Sequence, residues 1–154
     1  MDEREFMEEA YREAVAAGRR GECPVGAVLV KDGVIVARGG NEEQAAKDPT
    51  AHAEMLCLRR AGAALGSTDF SGCVMYTTLW PCPMCQGAML QAQVAKVVSG
   101  SRTFKWILEV RFDHAHLLKI GPVREEDCRR LFVDWARRND RLEILEMEEG
   151  LEED

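Results

Sequence analysis

Two short stretches, His52-Ala53-Glu54 and Pro81-Cys82-Pro83-Met84-Cys85, each open a helical pattern, and their side chains serve one purpose only if the fold brings two helix starts together. Cysteines three apart at the start of a helix send their sulfurs to the same side, and the positive helix end favours thiolate. Such a pair suits zinc, and His52 at another helix start supplies a third ligand. Three protein ligands leave a tetrahedral zinc one position short, which separates a catalytic site from a closed structural one. Water in that position has its pKa lowered from about 15.7 toward about 7, enough to attack an electron-poor ring carbon that bears an amino group. Glu54 is then the proton carrier, from the attacking water to the ring nitrogen and the departing amine. A structural zinc knot needs a fourth protein ligand, and Cys57, Cys73, His114 and His116 are the candidates, none at a spacing that recommends it.

The rest of the chain supplies a scaffold for two such helices. Residues 2–17 place Phe6, Ala10, Ala14 and Val15 near helical spacing among charged neighbours, which predicts an amphipathic helix ended by Gly18. Val25–Lys31 and Val34–Arg38 are β-rich runs joined by Asp32-Gly33, a tight-hairpin dipeptide. A polar loop leads to a helix over 51–64, with Thr50 available as its cap and Gly62 and Gly66 near its exit. Cys73–Leu79 reads as a strand, Pro81-Cys82-Pro83 turns into a helix reaching about Gln93, and Val94–Gly100 reads as another strand. Residues 101–112 read as a loop, His114–Ile120 as a fifth strand, and Glu125–Arg138 as a helix with Leu131, Phe132 and Trp135 as its apolar contacts. Met55, Met84 and Met89 read as core filling. The order helix, hairpin, helix, strand, helix, strand predicts an α/β fold, a three-layer α/β/α sandwich around a central mixed five-stranded sheet.

Composition limits what this scaffold serves. A length of 154 residues suits a single domain, 1–154, with 146–154 as an acidic tail. No apolar run approaches the roughly 20 residues of a membrane helix. The first residues are acidic where a secretory signal is basic and then apolar, so a cytoplasmic protein without disulfides is expected from its six cysteines. A formal net charge of −7 repels a polyanion such as tRNA on average, although a local basic stripe can outweigh it. Zinc, two thiolates and a neutral His52 sum to no charge, and adding hydroxide and Glu54 makes the site anionic, which favours a small neutral substrate.

With H-x-E and P-C-x-x-C in this order, the sequence resembles the cytidine deaminase-like superfamily of zinc deaminases. The resemblance runs from about Arg12 to Gly100 and includes Pro24-Val25-Gly26-Ala27-Val28, Asn41, Asp48-Pro49-Thr50-Ala51, Tyr76-Thr77-Thr78-Leu79 and Gln86-Gly87-Ala88-Met89. It implies the cytidine deaminase-like fold, one Zn2+ per chain, hydrolytic release of ammonia from a small heterocyclic substrate, and a homodimer. It also implies a substrate contact at Asn41, eleven residues before His52, and counts Ala53 with it. Three relatives compete. Thr77-Thr78-Leu79 and the helix starting near Glu125 look like cytosine deaminase, in which an aromatic residue after the fourth strand and an acidic residue near the C terminus close over the base; Phe104 or Trp106 and Glu146 are the nearest matches. Pro83 between the cysteines and Asp113 look like guanine deaminase, with Asp113 where that family reads its purine. Asp48 to Glu54 looks like bacterial tRNA adenosine deaminase, although Thr103-Phe104-Lys105-Trp106-Ile107 replaces the Gly/Ala-rich stretch of that family. Cytosine leads, guanine, creatinine or another base-like ring and a tRNA adenosine remain alternatives, and a zinc-stabilised binding module is the alternative outside enzymes.

Overall fold

Asp32 and Gly33 both take positive φ, 49° and 76°, and turn β1 (Gly26–Lys31) directly into the antiparallel β2 (Val34–Gly40). This hairpin seeds a mixed sheet. The computed structural model describes residues 1–101, 118–120 and 122–140. Within them β3 (Val74–Thr77) pairs antiparallel with the other side of β1, and β4 (Lys96–Ser99) pairs parallel with β3. These four strands form the body of the sheet, and the three residues of β5 (Leu118–Ile120) pair parallel with β4, giving the order β2-β1-β3-β4-β5. The first residues expected in the fifth strand, 114–117, lie outside the described residues.

Both faces of the sheet are covered, and successive residues of the central strands enter the two cores in turn. Ala27, Leu29, Met75 and Val97 face a core shared with α3 (Ala53–Leu65) and α4 (Pro83–Gln91), including Cys57, Leu58, Ala61 and Met89. Val28, Val30, Tyr76 and Val98 face Phe6, Met7 and Ala10 of α1 (Glu3–Arg19). Three layers result. Of the methionines expected in the core, Met89 is buried, whereas Met55 and Met84 are half-buried at its margin. No disulfide joins any two of the six cysteines.

Several boundaries differ from the sequence expectation, each for a local reason. Helix α1 starts on a capping box in which Asp2 and Glu5 accept one another's backbone N–H, and it continues through Gly18 to Arg19. Gly18 serves a close approach instead, since a Cβ there would sit 3.3 Å from that of Pro24. The cap of α3 is His52 and not Thr50, whose hydroxyl donates to Asp48 Oδ1 at 2.7 Å. Helix α4 is capped by Cys82 with Pro83 in its first turn, and it ends at Gln91 rather than Gln93. The polar loop contains a one-turn helix, α2 (Glu43–Ala46), that the sequence pattern does not reveal. The last helix, α5 (Glu125–Arg138), keeps its expected bounds and packs beside α1, where Arg124 pairs with Glu8 and Asp127 and lies 4.4 Å above the Tyr11 ring. Among the described residues no helix is long and apolar enough to cross a membrane.

Candidate metal centre

Since β1 runs against both its neighbours, the carboxyl ends of β2 and β3 and the amino end of β1 share one edge of the sheet. Ligand crevices in α/β sheets form at such edges. Asn41 leaves β2 there, Cys23 and Val25 enter β1 there, and the segment from Thr78 to Cys82 leaves β3 there. Thr78 fixes that exit by accepting the Gly26 N–H on its hydroxyl at 3.1 Å while its own N–H donates to the Gly26 carbonyl at 3.0 Å. Gln86 steadies the next turn by donating from Nε2 to the Pro81 carbonyl at 2.6 Å.

The two capping residues, His52 of α3 and Cys82 of α4, therefore face one another, and Cys85 lies one turn into α4. His52 Nδ1 is 3.5 Å from Cys82 Sγ and 3.6 Å from Cys85 Sγ, and all three ligand atoms lie within 4.8 Å of one another. Zn–S bonds of about 2.3 Å and Zn–N bonds of about 2.05 Å at a tetrahedral angle separate nitrogen from sulfur by about 3.6 Å, so the spacing fits zinc. Among the described residues no fourth His, Cys, Asp or Glu joins this cluster. Cys57 is turned into the core, donating to the Ala27 carbonyl, and burial pushes its thiol up.

Charge at the centre follows from this crowding. The Cys82 thiolate accepts from Cys85 and then from His52, and its pKa is pulled down to about 4 despite burial. Cys85, donating to Cys82 and buried, is pushed up. The two sulfurs thus shift in opposite directions, each because of the other. His52 is pushed up by the same Cys82 contact, against the effect of its burial. Burial pushes Glu54 up, offset in part by Cys85 and His52; Glu54 is 3% exposed and its Oε1 has no hydrogen-bond partner. A buried carboxylate oxygen without a protein partner calls for a water, an ion or a reacting group.

A cavity of about 430 Å³ reaches His52, Glu54 and Cys82 and is also lined by Asn41, Glu22, Glu43, Leu79, Trp80, Phe132, Trp135 and Asn139. Asn41 is among the residues lining this cavity. The Ala53 side chain is fully buried in the core shared with α3 and α4. Phe104, Trp106, Asp113 and Glu146 lie outside the described residues, as do His114 and His116. Sequence reasoning misses Glu22, Glu43, Trp80 and the inward role of Phe132 and Trp135. Trp80 and Glu43 each stand two residues from a residue already singled out, which is a usable signal. The α5 aromatics carry none, because only tertiary packing against Cys23, Val25 and Leu79 brings them to the site.

Residues 1–101 match the family model of the cytidine and deoxycytidylate deaminase zinc-binding region. The chain belongs to this family. Membership in the cytidine and deoxycytidylate deaminase zinc-binding family makes zinc the metal that His52, Cys82 and Cys85 are positioned to bind. Among relatives, a tRNA-specific adenosine deaminase of Bacillus subtilis (strain 168) is 43% identical over 80% of this chain and 81% of its own. A guanine deaminase of the same organism is 42% identical over 70% of this chain and 67% of its own. A solved structure from a study of A-to-I editing by tRNA:A34 deaminases is 35% identical, covers 82% of this chain and 98% of its own, and superposes with a TM-score of 0.73. Some curated relatives are much longer, the shared part being as little as 7% of their length.

Proposed function

We propose that the chain hydrolyses an exocyclic amino group from a free heterocyclic base, with cytosine the first candidate and guanine, creatinine or another base-like ring the next, releasing ammonia. The observation that carries this reading is the pairing of a buried Glu54 Oε1 that has no protein partner with a three-ligand metal cluster, beside a cavity that Trp80, Phe132 and Trp135 also line. Bound zinc supplies Lewis acidity that makes hydroxide available near neutral pH. Glu54 takes a proton from the attacking water, delivers it to the ring nitrogen next to the reacting carbon, and returns a proton to the amine as it leaves. A C–O bond forms, the C–N bond breaks, and water plus amine become carbonyl plus ammonia. Asn41 orients the ring, and Phe104 or Trp106, Asp113 and Glu146 are the further substrate contacts in this proposal. The acidic wall of Glu22, Glu43 and Glu54 and the net charge of −7 favour a small neutral ring over a polyanion. A cytoplasmic homodimer of one domain per chain is part of this proposal.

A second reading is hydrolytic deamination of a tRNA adenosine, favoured by the relative from Bacillus subtilis that matches over most of both chains. An ammonia-release screen of the zinc protein against cytosine, isocytosine, guanine, adenine, creatinine, their nucleosides and an adenosine-containing tRNA stem-loop separates the two. Turnover of a free base is the expected result. Turnover confined to the stem-loop, with binding that weakens steeply as salt rises, establishes the second reading and ends the first.

A further inference from the structure

We propose that Glu43 is a positioning residue that fixes His52 for metal binding. A histidine that ligates through Nδ1 must carry its proton on Nε2, and the group facing Nε2 decides whether that tautomer and ring orientation are held. In this chain His52 Nδ1 faces the two sulfurs, and Nε2 lies 3.3 Å from Glu43 Oε1. The same oxygen accepts from Asn41 Nδ2 at 2.9 Å, so the carboxylate is held from a second side. Its backbone is held as well. Glu22, 2% exposed, accepts the N–H groups of Gln44 and Ala45 at 3.0 and 2.8 Å and so anchors α2, while the Glu42 N–H donates to the Ala51 carbonyl at 3.0 Å, one residue before His52. A surface acid at the start of a four-residue helix would need none of this bracing.

The inference rests on the zinc site and is independent of which ring is deaminated. Its test is zinc affinity, measured by competition with a chromophoric chelator at fixed pH for the parent, Glu43→Ala and Glu43→Gln, together with thermal unfolding of each zinc-free protein. Glu43→Ala is expected to bind zinc about 10- to 100-fold more weakly. Glu43→Gln, whose amide oxygen still accepts from Nε2–H, is expected to stay close to the parent, and the zinc-free melting temperatures to coincide. Equal zinc affinity of the parent and Glu43→Ala overturns the proposal. So does a loss shared equally by both variants and matched by lower zinc-free stability, which marks a role in holding the loop alone. A parent that binds no zinc fails the metal site itself, a different and separately visible result.

Discussion

A carboxylate taken out of water with one oxygen unpaired lowers stability unless a reaction uses it, and Glu54 is in that position. Glu54→Gln keeps the shape and removes the charge, so stability should hold or rise. Ammonia release should fall by at least about 10²- to 10⁴-fold, the range for a general acid–base group, with zinc content unchanged by elemental analysis. Retained turnover removes Glu54 from the mechanism. The residues behind this prediction were legible because metal chemistry restricts both type and spacing: few side chains bind zinc, and two cysteines three apart at a helix start is a restrictive pattern. Glu43 and Glu22 were not legible, because an acidic residue in a polar stretch reads as solvated whether or not its oxygens face backbone N–H groups.

The elements were legible where a turn or periodicity forced them and failed where tertiary contact decided. Asp32-Gly33 fixes the hairpin, and β1 is buried on both faces from Gly26 to Val30, but Gly18 lies inside α1 and not at its end, because its missing Cβ serves Pro24. Gly26 shows how such contacts govern docking. A Cβ there would lie 2.1 Å from the Ala10 carbonyl and 2.4 Å from the Ala14 nitrogen, both backbone atoms, so Gly26→Ala must push α1 off the sheet. Its expected loss in urea unfolding is about 3 kcal/mol or more, the upper range of overpacking. Gly33→Ala meets nothing within 4 Å but keeps a φ of 76°, so it should cost only about 1 kcal/mol. Reversal of that order would mean that α1 is not seated where described. The same interface carries a pH signal. Arg38 donates to Glu9 at 2.8 Å and holds that carboxyl below its ordinary 4.5, so the ion pair stabilises the fold above that value and stops doing so as pH falls through the lowered one. With Arg38 half-exposed, Glu9→Gln should cost at most about 1 kcal/mol at pH 7, and parent and variant should converge in acid.

At the scale of the molecule, the alternation of elements implied a layered sheet, and β3-α4-β4 is the parallel crossover that it predicted. What it did not disclose is that β1 lies between β2 and β3, which aligns the exits of both outer strands and so brings the starts of α3 and α4 together. The metal ligands are therefore contributed by two elements whose mutual position depends on the whole sheet, and metal binding must be linked to folding. If the unfolded chain binds zinc weakly, free zinc at 100 times its Kd stabilises the native state by about 2.7 kcal/mol. For a domain of this length that is a rise of about 5–10 °C in Tm, growing with the logarithm of free zinc. Chelation should lower the Tm of the parent by that amount, whereas Cys85→Ala, lacking one sulfur, should melt near the chelated parent and ignore added zinc. A Cys85→Ala protein whose Tm still climbs with zinc as the parent's does would show that the cation binds elsewhere, and the junction of α3 and α4 would lose its metal.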